Sequence, residues 1–286
     1  MDEDIFFFVV FVLFIFLTLV TIVFASIVIF VIISHWKSQT RSIGNLLICN
    51  SSVALIYHSI ATSIQIPFLR TPRSTSLIFC QIQAFIHFSS CTTAAYSCFI
   101  QALARFFLII LYQRKMLLTF RTSWLLIIFN WMIASGLAGG IFLSPGAYRY
   151  EPESRMCGMT SKIFATSFTG VNLAFCIPFL TTIILYAIIL HHTTQDRMNS
   201  DAFVIMRQKR NVKVFRNILL FTFILSLGGV PYFISVLINL NNHSPWPLYS
   251  LSILSGSFAA ALESLALFFT SIQIRTLFCT KVHLTS

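Results

Sequence analysis

Seven apolar stretches, at about 5–33, 43–69, 77–111, 123–144, 163–190, 213–240 and 246–270, divide this chain. Each exceeds the about 20 residues that a helix needs to cross hydrocarbon. Lipid offers no hydrogen bonds to exposed peptide groups, and stretches this long and this poor in charge satisfy their own backbone only as helices. The expected fold is an all-α membrane protein, a seven-transmembrane helix bundle forming a single domain over 1–286. Composition agrees: 57% hydrophobic against 9% charged residues would leave a soluble globule short of polar surface. The 31 phenylalanines suit lipid and helix–helix contacts. Asp2, Glu3 and Asp4 precede the first span without a basic leader, so that span is expected to act as its own insertion signal.

Basic residues are disfavoured in translocated loops. The 35–41 loop, the end of the third span, the 112–122 loop, the 191–216 segment and the tail hold 14 of the 19 Lys and Arg. The alternate loops hold only Arg70, Arg73, Arg149, Arg155 and Lys162, offset by five acids. The amino terminus is therefore expected outside and the tail in the cytoplasm. The net charge of +11 reads as a topology signal and an attraction to anionic membrane lipid, not as nucleic-acid binding. Beyond Thr270, Ile272, Ile274, Leu277 and Phe278 form an apolar stripe opposite Arg275 and Lys281, which predicts either a short interfacial helix over 271–280 or an unstructured basic end.

Cys49, Cys91, Cys98 and Cys176 fall within spans and read as small apolar residues. Cys80 starts the third span and Cys157 lies in the one sizeable outer loop. Both are expected to face the oxidising compartment, either as two free thiols or as a disulfide that pins the loop across the mouth of the bundle. Cys279 is either a palmitoylation site or a plain thiol.

Several spacings together resemble the rhodopsin-like (class A) G-protein-coupled receptor family. Cys80 and Arg105 stand 25 residues apart, as do that family's helix-3 cysteine and the arginine of its Asp-Arg-Tyr motif, which reads here Ala104-Arg105-Phe106. Trp131, the pair Pro178 and Tyr186, Pro231, and Asn45 with Asn50 fall where the family keeps such residues. The resemblance implies a receptor of the plasma membrane that passes the binding of an extracellular ligand to a heterotrimeric G protein, with no cofactor. It implies a G-protein gate at Arg105, Phe106 and Tyr186, and a switch or hinge at Pro178, Gly228, Gly229, Pro231 and Glu263.

Departures mark a divergent member. Leu55 stands at the family's sodium-binding aspartate, and an apolar residue coordinates no cation. The Cys-Trp-x-Pro motif reads Gly228-Gly229-Val230-Pro231, expected to be a flexible kink. Asn-Pro-x-x-Tyr aligns with Glu263-Ser264-Leu265-Ala266-Leu267. Glu263, the only acid inside a span, is expensive to bury. It reads either as part of a polar hub with Asn50, Ser51 or Ser52, or as a carboxyl satisfied by a serine. Arg105 keeps its charge and needs carbonyls, water, a carboxylate or a partner protein. With Ala104 in place of the neighbouring acid, raised basal activity is expected.

For the ligand, His87 stands where the family's amine receptors carry an aspartate, so a biogenic amine lacks its counter-ion. Gln83, His87, Phe88, Cys91, Tyr232, Phe233, Tyr249, Ile253 and Ser257 predict an apolar, aromatic pocket with a few hydrogen-bonding groups.

No His-Glu-x-x-His, Gly-x-Ser-x-Gly or phosphate-loop pattern supports an enzyme. The adjacent His191 and His192 point in different directions on a helix and make a poor metal site. Glu263, His58 and His87 are the polar catalytic groups within spans, and nothing in the sequence pairs them. A proton- or ion-coupled transporter using Glu263 is the rival class, and a non-coupling pseudo-receptor is the other alternative. Asn242-His243-Ser244 is a possible glycosylation sequon, while Asn50-Ser51-Ser52 lies in a span.

Overall fold

The computed structural model describes residues 3–36, 42–70, 76–152, 154–160, 162–197, 202–238 and 246–270. The expected tail helix, Cys279 and the sequon at Asn242 lie outside the described residues. The long helices are α1 (Glu3–Ser34), α2 (Ile43–Arg70), α3 (Leu77–Ile109) and α4 (Phe120–Phe142). The fifth span is assembled from α5 (Phe164–Val171), a π turn over Asn172–Cys176 and α6 (Ile177–Arg197), followed by α7 (Ala202–Ile238) and α8 (Trp246–Thr270). Seven helical segments are long and apolar enough to cross a membrane, so the chain is a multi-pass membrane protein with an all-α, seven-helix bundle.

Local chemistry sets several boundaries. Ser76 starts α3 by accepting from the Phe79 amide at 3.3 Å, and Thr119 starts α4 by accepting from the Thr122 amide at 3.3 Å. The sequence predicts the sixth span from 213, yet α7 begins at Ala202, because no Gly or Pro interrupts 202–227 and the charged segment simply extends the helix. The π turn precedes Pro178, whose ring nitrogen donates no hydrogen bond to the preceding turn. Tyr96 of α3 donates to the Leu173 carbonyl within that turn at 2.9 Å.

The bundle is inside-out relative to a soluble globule. Phe16, Phe30, Leu125 and Met132 are each at least 60% exposed around its perimeter, a surface that only lipid accommodates. Its interior uses small residues, with Ala25, Ala54, Ser52, Ser90, Thr92, Ala134 and Ser264 fully buried, which lets helix backbones approach closely. Side-chain hydrogen bonds then tie helix to helix. Trp131 Nε1 of α4 donates to Asn50 Oδ1 of α2 at 3.1 Å, and Gln101 Nε2 of α3 donates to Ser51 Oγ at 2.6 Å. Ser255 Oγ of α8 donates to the Gly228 carbonyl of α7 at 3.2 Å.

One end of the bundle carries a cap that helix periodicity does not announce. Strands β1 (Tyr148–Glu151) and β2 (Met156–Met159) form an antiparallel hairpin pairing Tyr148 with Met159 and Tyr150 with Cys157. The Cys80–Cys157 disulfide joins β2 to the start of α3, with Cα atoms 5.3 Å apart. Gln65 of α2 donates to the Cys157 carbonyl at 3.0 Å, and Tyr249 of α8 donates to the Met159 carbonyl at 3.0 Å. Tyr148 donates to the Ala138 carbonyl of α4 at 3.2 Å. Its burial, with Tyr232 nearby, holds the Tyr148 phenol above its ordinary range. These bonds tie the hairpin to four helices, and Arg155 ties it to a fifth through Asp4 of α1. Arg155 at its tip adopts a left-handed φ of 55° and lays its guanidinium 4.0 Å over the Phe7 ring of α1.

Candidate functional site: a cavity beneath the hairpin

A cavity of about 180 Å³ lies under this cap, and each wall comes from a different element. The backbone stretch Cys157-Gly158-Met159 closes it towards the hairpin. His87, Phe88 and Cys91 of α3 face His58 and Gln65 of α2. Phe175 enters from the π turn, and Gly228, Gly229 and Tyr232 from α7. Tyr249, Ser252, Ile253 and Glu263 complete the wall from α8. Tyr232 and Tyr249 pack with ring centroids 6.0 Å apart. The lining is mostly apolar with a few polar groups, the pattern of a small-molecule site.

Six of the nine residues that the sequence predicts for the ligand site therefore meet here: His87, Phe88, Cys91, Tyr232, Tyr249 and Ile253. The other three do not line the cavity. Gln83 is buried with neither amide atom hydrogen-bonded among the described residues, and Ser257 is buried likewise. Phe233 turns instead towards Phe168, 6.2 Å away. The α2 wall is the part the sequence reading passes over. Leu55, His58 and Gln65 recur at spacings of three and seven, so they share one helix face. Polar groups at such spacing inside an apolar span are the signal that could have found them.

Two expectations about polar neighbours need correction. Glu263 does not gather Asn50, Ser51 and Ser52: Asn50 and Ser51 take the Trp131 and Gln101 bonds, and Ser52 donates to the Ile48 carbonyl at 3.0 Å. Glu263 Oε1 instead accepts from Cys98 Sγ of α3 at 3.2 Å. The sequence also leaves His58 and His87 unpaired, yet their rings lie 5.6 Å apart, with Cys91 Sγ 3.6 Å from His58 Nδ1.

Gly228 and Gly229 owe their identity to close approach. A Cβ on Gly228 would stand 2.8 Å from the Ala259 Cβ of α8, and one on Gly229 would collide with the Phe175 ring. Pro231 sits inside a continuous α7, about two turns before its end.

At the other end of the bundle, Arg105, Tyr186, Cys98, Gln101 and Thr222 line a crevice of about 10 Å³. The Arg105 guanidinium sits beside the Tyr186 hydroxyl, and no carboxylate pairs with it among the described residues. Phe106 packs with Tyr186 and Ala102 in the cluster around that crevice. Pro178 accepts at its carbonyl from Thr182 Oγ1 at 2.6 Å, and the fifth span continues as α6 beyond the π turn.

Seven membrane-crossing helices, a disulfide-tied hairpin over one mouth and a cavity beneath it define a receptor-type bundle. The model of the family described as 7 transmembrane receptor (rhodopsin family) matches residues 24–265. The chain belongs to that family, a family of receptors rather than of enzymes. Comparison with curated proteins finds no match.

Proposed function

We propose that the chain is a plasma-membrane receptor whose hairpin end faces outward, binds an extracellular small molecule in the cavity, and communicates with a heterotrimeric G protein at the Arg105 end. The observation that carries this reading is the cavity itself, because its walls include both α7 and the π turn of the fifth span. A ligand that fills it touches the two spans whose inner ends flank Arg105, and so has differential contacts with any arrangement in which they move apart. An imidazole at His87, where amine receptors carry an aspartate, favours a ligand other than a biogenic amine. Pro178 and Pro231, with the tightly packed Gly228 and Gly229, are the switch elements of this reading. Arg105, Phe106 and Tyr186 form its gate.

The test is G-protein activation in cells expressing wild type and Arg105→Ala at matched surface levels. Basal output above an empty-vector control that disappears with the arginine is the expected result, since no carboxylate among the described residues restrains Arg105. Silence of the wild type across G-protein classes would overturn coupling and favour a pseudo-receptor.

A second reading, proton- or ion-coupled transport, is favoured by one observation: Glu263 is the only acid among the described residues of the cavity. Solute uptake lost in Glu263→Gln, with no nucleotide exchange, would support it instead.

A further inference from the structure

Within the cavity wall, three metal-ligating side chains converge from two helices. His87 and Cys91 are four residues apart on α3 and so share a face, and His58 reaches them from α2. One ligand atom from each lies within 4.8 Å of the others. Tetrahedral bonds of about 2.0 Å to nitrogen and 2.3 Å to sulfur set donors about 3.3–3.5 Å apart. Side-chain adjustments on the order of 1 Å would therefore close the triangle on an ion.

The surroundings favour ligation over simple packing. His58 is buried, and its Nε2 has no hydrogen-bond partner among the described residues. Its Nδ1 lies 3.4 Å from Ser90 Oγ, and Ser90 donates its own proton to the His87 carbonyl at 2.7 Å. Cys91 Sγ stands 3.6 Å from the same Nδ1, close to the spacing that tetrahedral nitrogen and sulfur donors keep around one ion, so Nδ1 and Sγ are the pair nearest to ligand geometry. All three side chains also line the cavity, so a fourth position opens onto ligand-accessible space.

We propose that His58, His87 and Cys91 bind a zinc ion on the wall of the cavity, with the fourth coordination position left to water or to a donor atom of the receptor's ligand. Two imidazoles and a thiolate form a borderline-soft set that suits zinc and excludes magnesium and calcium. As the sulfur–metal bond forms, the Cys91 proton leaves to water in the cavity. Glu263, the only acid among the described residues of the wall, lines the same cavity. The site goes beyond the receptor reading, because cation binding needs no G protein and is measured without one.

The test is titration of the purified, lipid-reconstituted chain with cobalt(II) under argon, followed by displacement with zinc. One equivalent is expected to give a near-ultraviolet thiolate-to-cobalt band together with tetrahedral visible bands. The thiolate band should vanish in Cys91→Ser, and His87→Gln should weaken binding by at least about tenfold. Zinc should erase the bands, and magnesium and calcium should not. Equal bands in wild type and Cys91→Ser, as surface histidines such as His191 would give, overturn the site. So does the absence of a thiolate band in monodisperse wild type. Zinc K-edge absorption on wild type alone covers the case of a variant that fails to fold. One sulfur at about 2.3 Å among nitrogens at about 2.0 Å is expected, and a shell without sulfur overturns the proposal.

Discussion

Charge alone is a poor guide to what each residue contributes, as Arg155 illustrates. Its ion pair with Asp4 spans 3.3 Å, but the Asp4 side chain is 91% exposed, so solvent screens most of the attraction. The same guanidinium lies flat over Phe7, a contact that a lysine ammonium does not reproduce. Asp4→Asn is therefore expected to change stability by less than about 0.5 kcal/mol. Arg155→Lys should cost about 0.5–1 kcal/mol. Thermal unfolding of the two purified variants checks the order, and a larger loss from Asp4→Asn would refute it. Tyr249 works differently, since its hydroxyl satisfies the Met159 carbonyl in a buried setting. Tyr249→Phe leaves that carbonyl unpaired, and a loss of about 1–3 kcal/mol is expected.

Elements divide sharply in how legible they are. The seven spans follow from hydropathy and length, since a membrane permits hardly any other answer. The hairpin does not, because two four-residue strands carry too little local pattern. Their register depends on Gln65, Cys80 and Tyr249, which are remote in sequence. The π turn escapes for a similar reason: Pro178 signals a disturbed helix but not where the extra residue is accommodated. Of the cavity, the α3, α7 and α8 walls are readable from spacing, while the α2 wall requires knowing which face of that helix turns inward. The glycine pair shows a residue type rightly noticed for a different physical reason, since packing against Phe175 and Ala259 leaves no room for a side chain. Gly229→Ala should consequently destabilise the bundle by about 1–3 kcal/mol through overpacking. Shortening the opposing ring, as in Phe175→Leu with Gly229→Ala, should recover part of that loss. Additive losses in the double variant would show that the two residues do not meet.

At the scale of the whole molecule, the two ends are built on different principles. The hairpin end is cross-tied: a disulfide and the bonds of Gln65, Tyr148 and Tyr249 connect a single loop to α2, α3, α4 and α8, and Arg155 adds bonds to Leu69 of α2 and Asp4 of α1. Around Arg105, among the described residues, Phe106 and Ile109 of α3 pack against Tyr186 and Ile189 of α6. The contrast separates stability from signalling. Replacing both Cys80 and Cys157 by Ala removes the link across 77 residues and should lower stability by about 2–4 kcal/mol, seen as a fall in the unfolding temperature of the purified chain. Cells held below that lowered temperature should nevertheless keep ligand-free G-protein activation per receptor at the surface, because the Arg105 crevice contains none of the lost contacts. If basal activation instead falls in proportion to stability, the two ends form one cooperative unit and the division drawn between them is wrong.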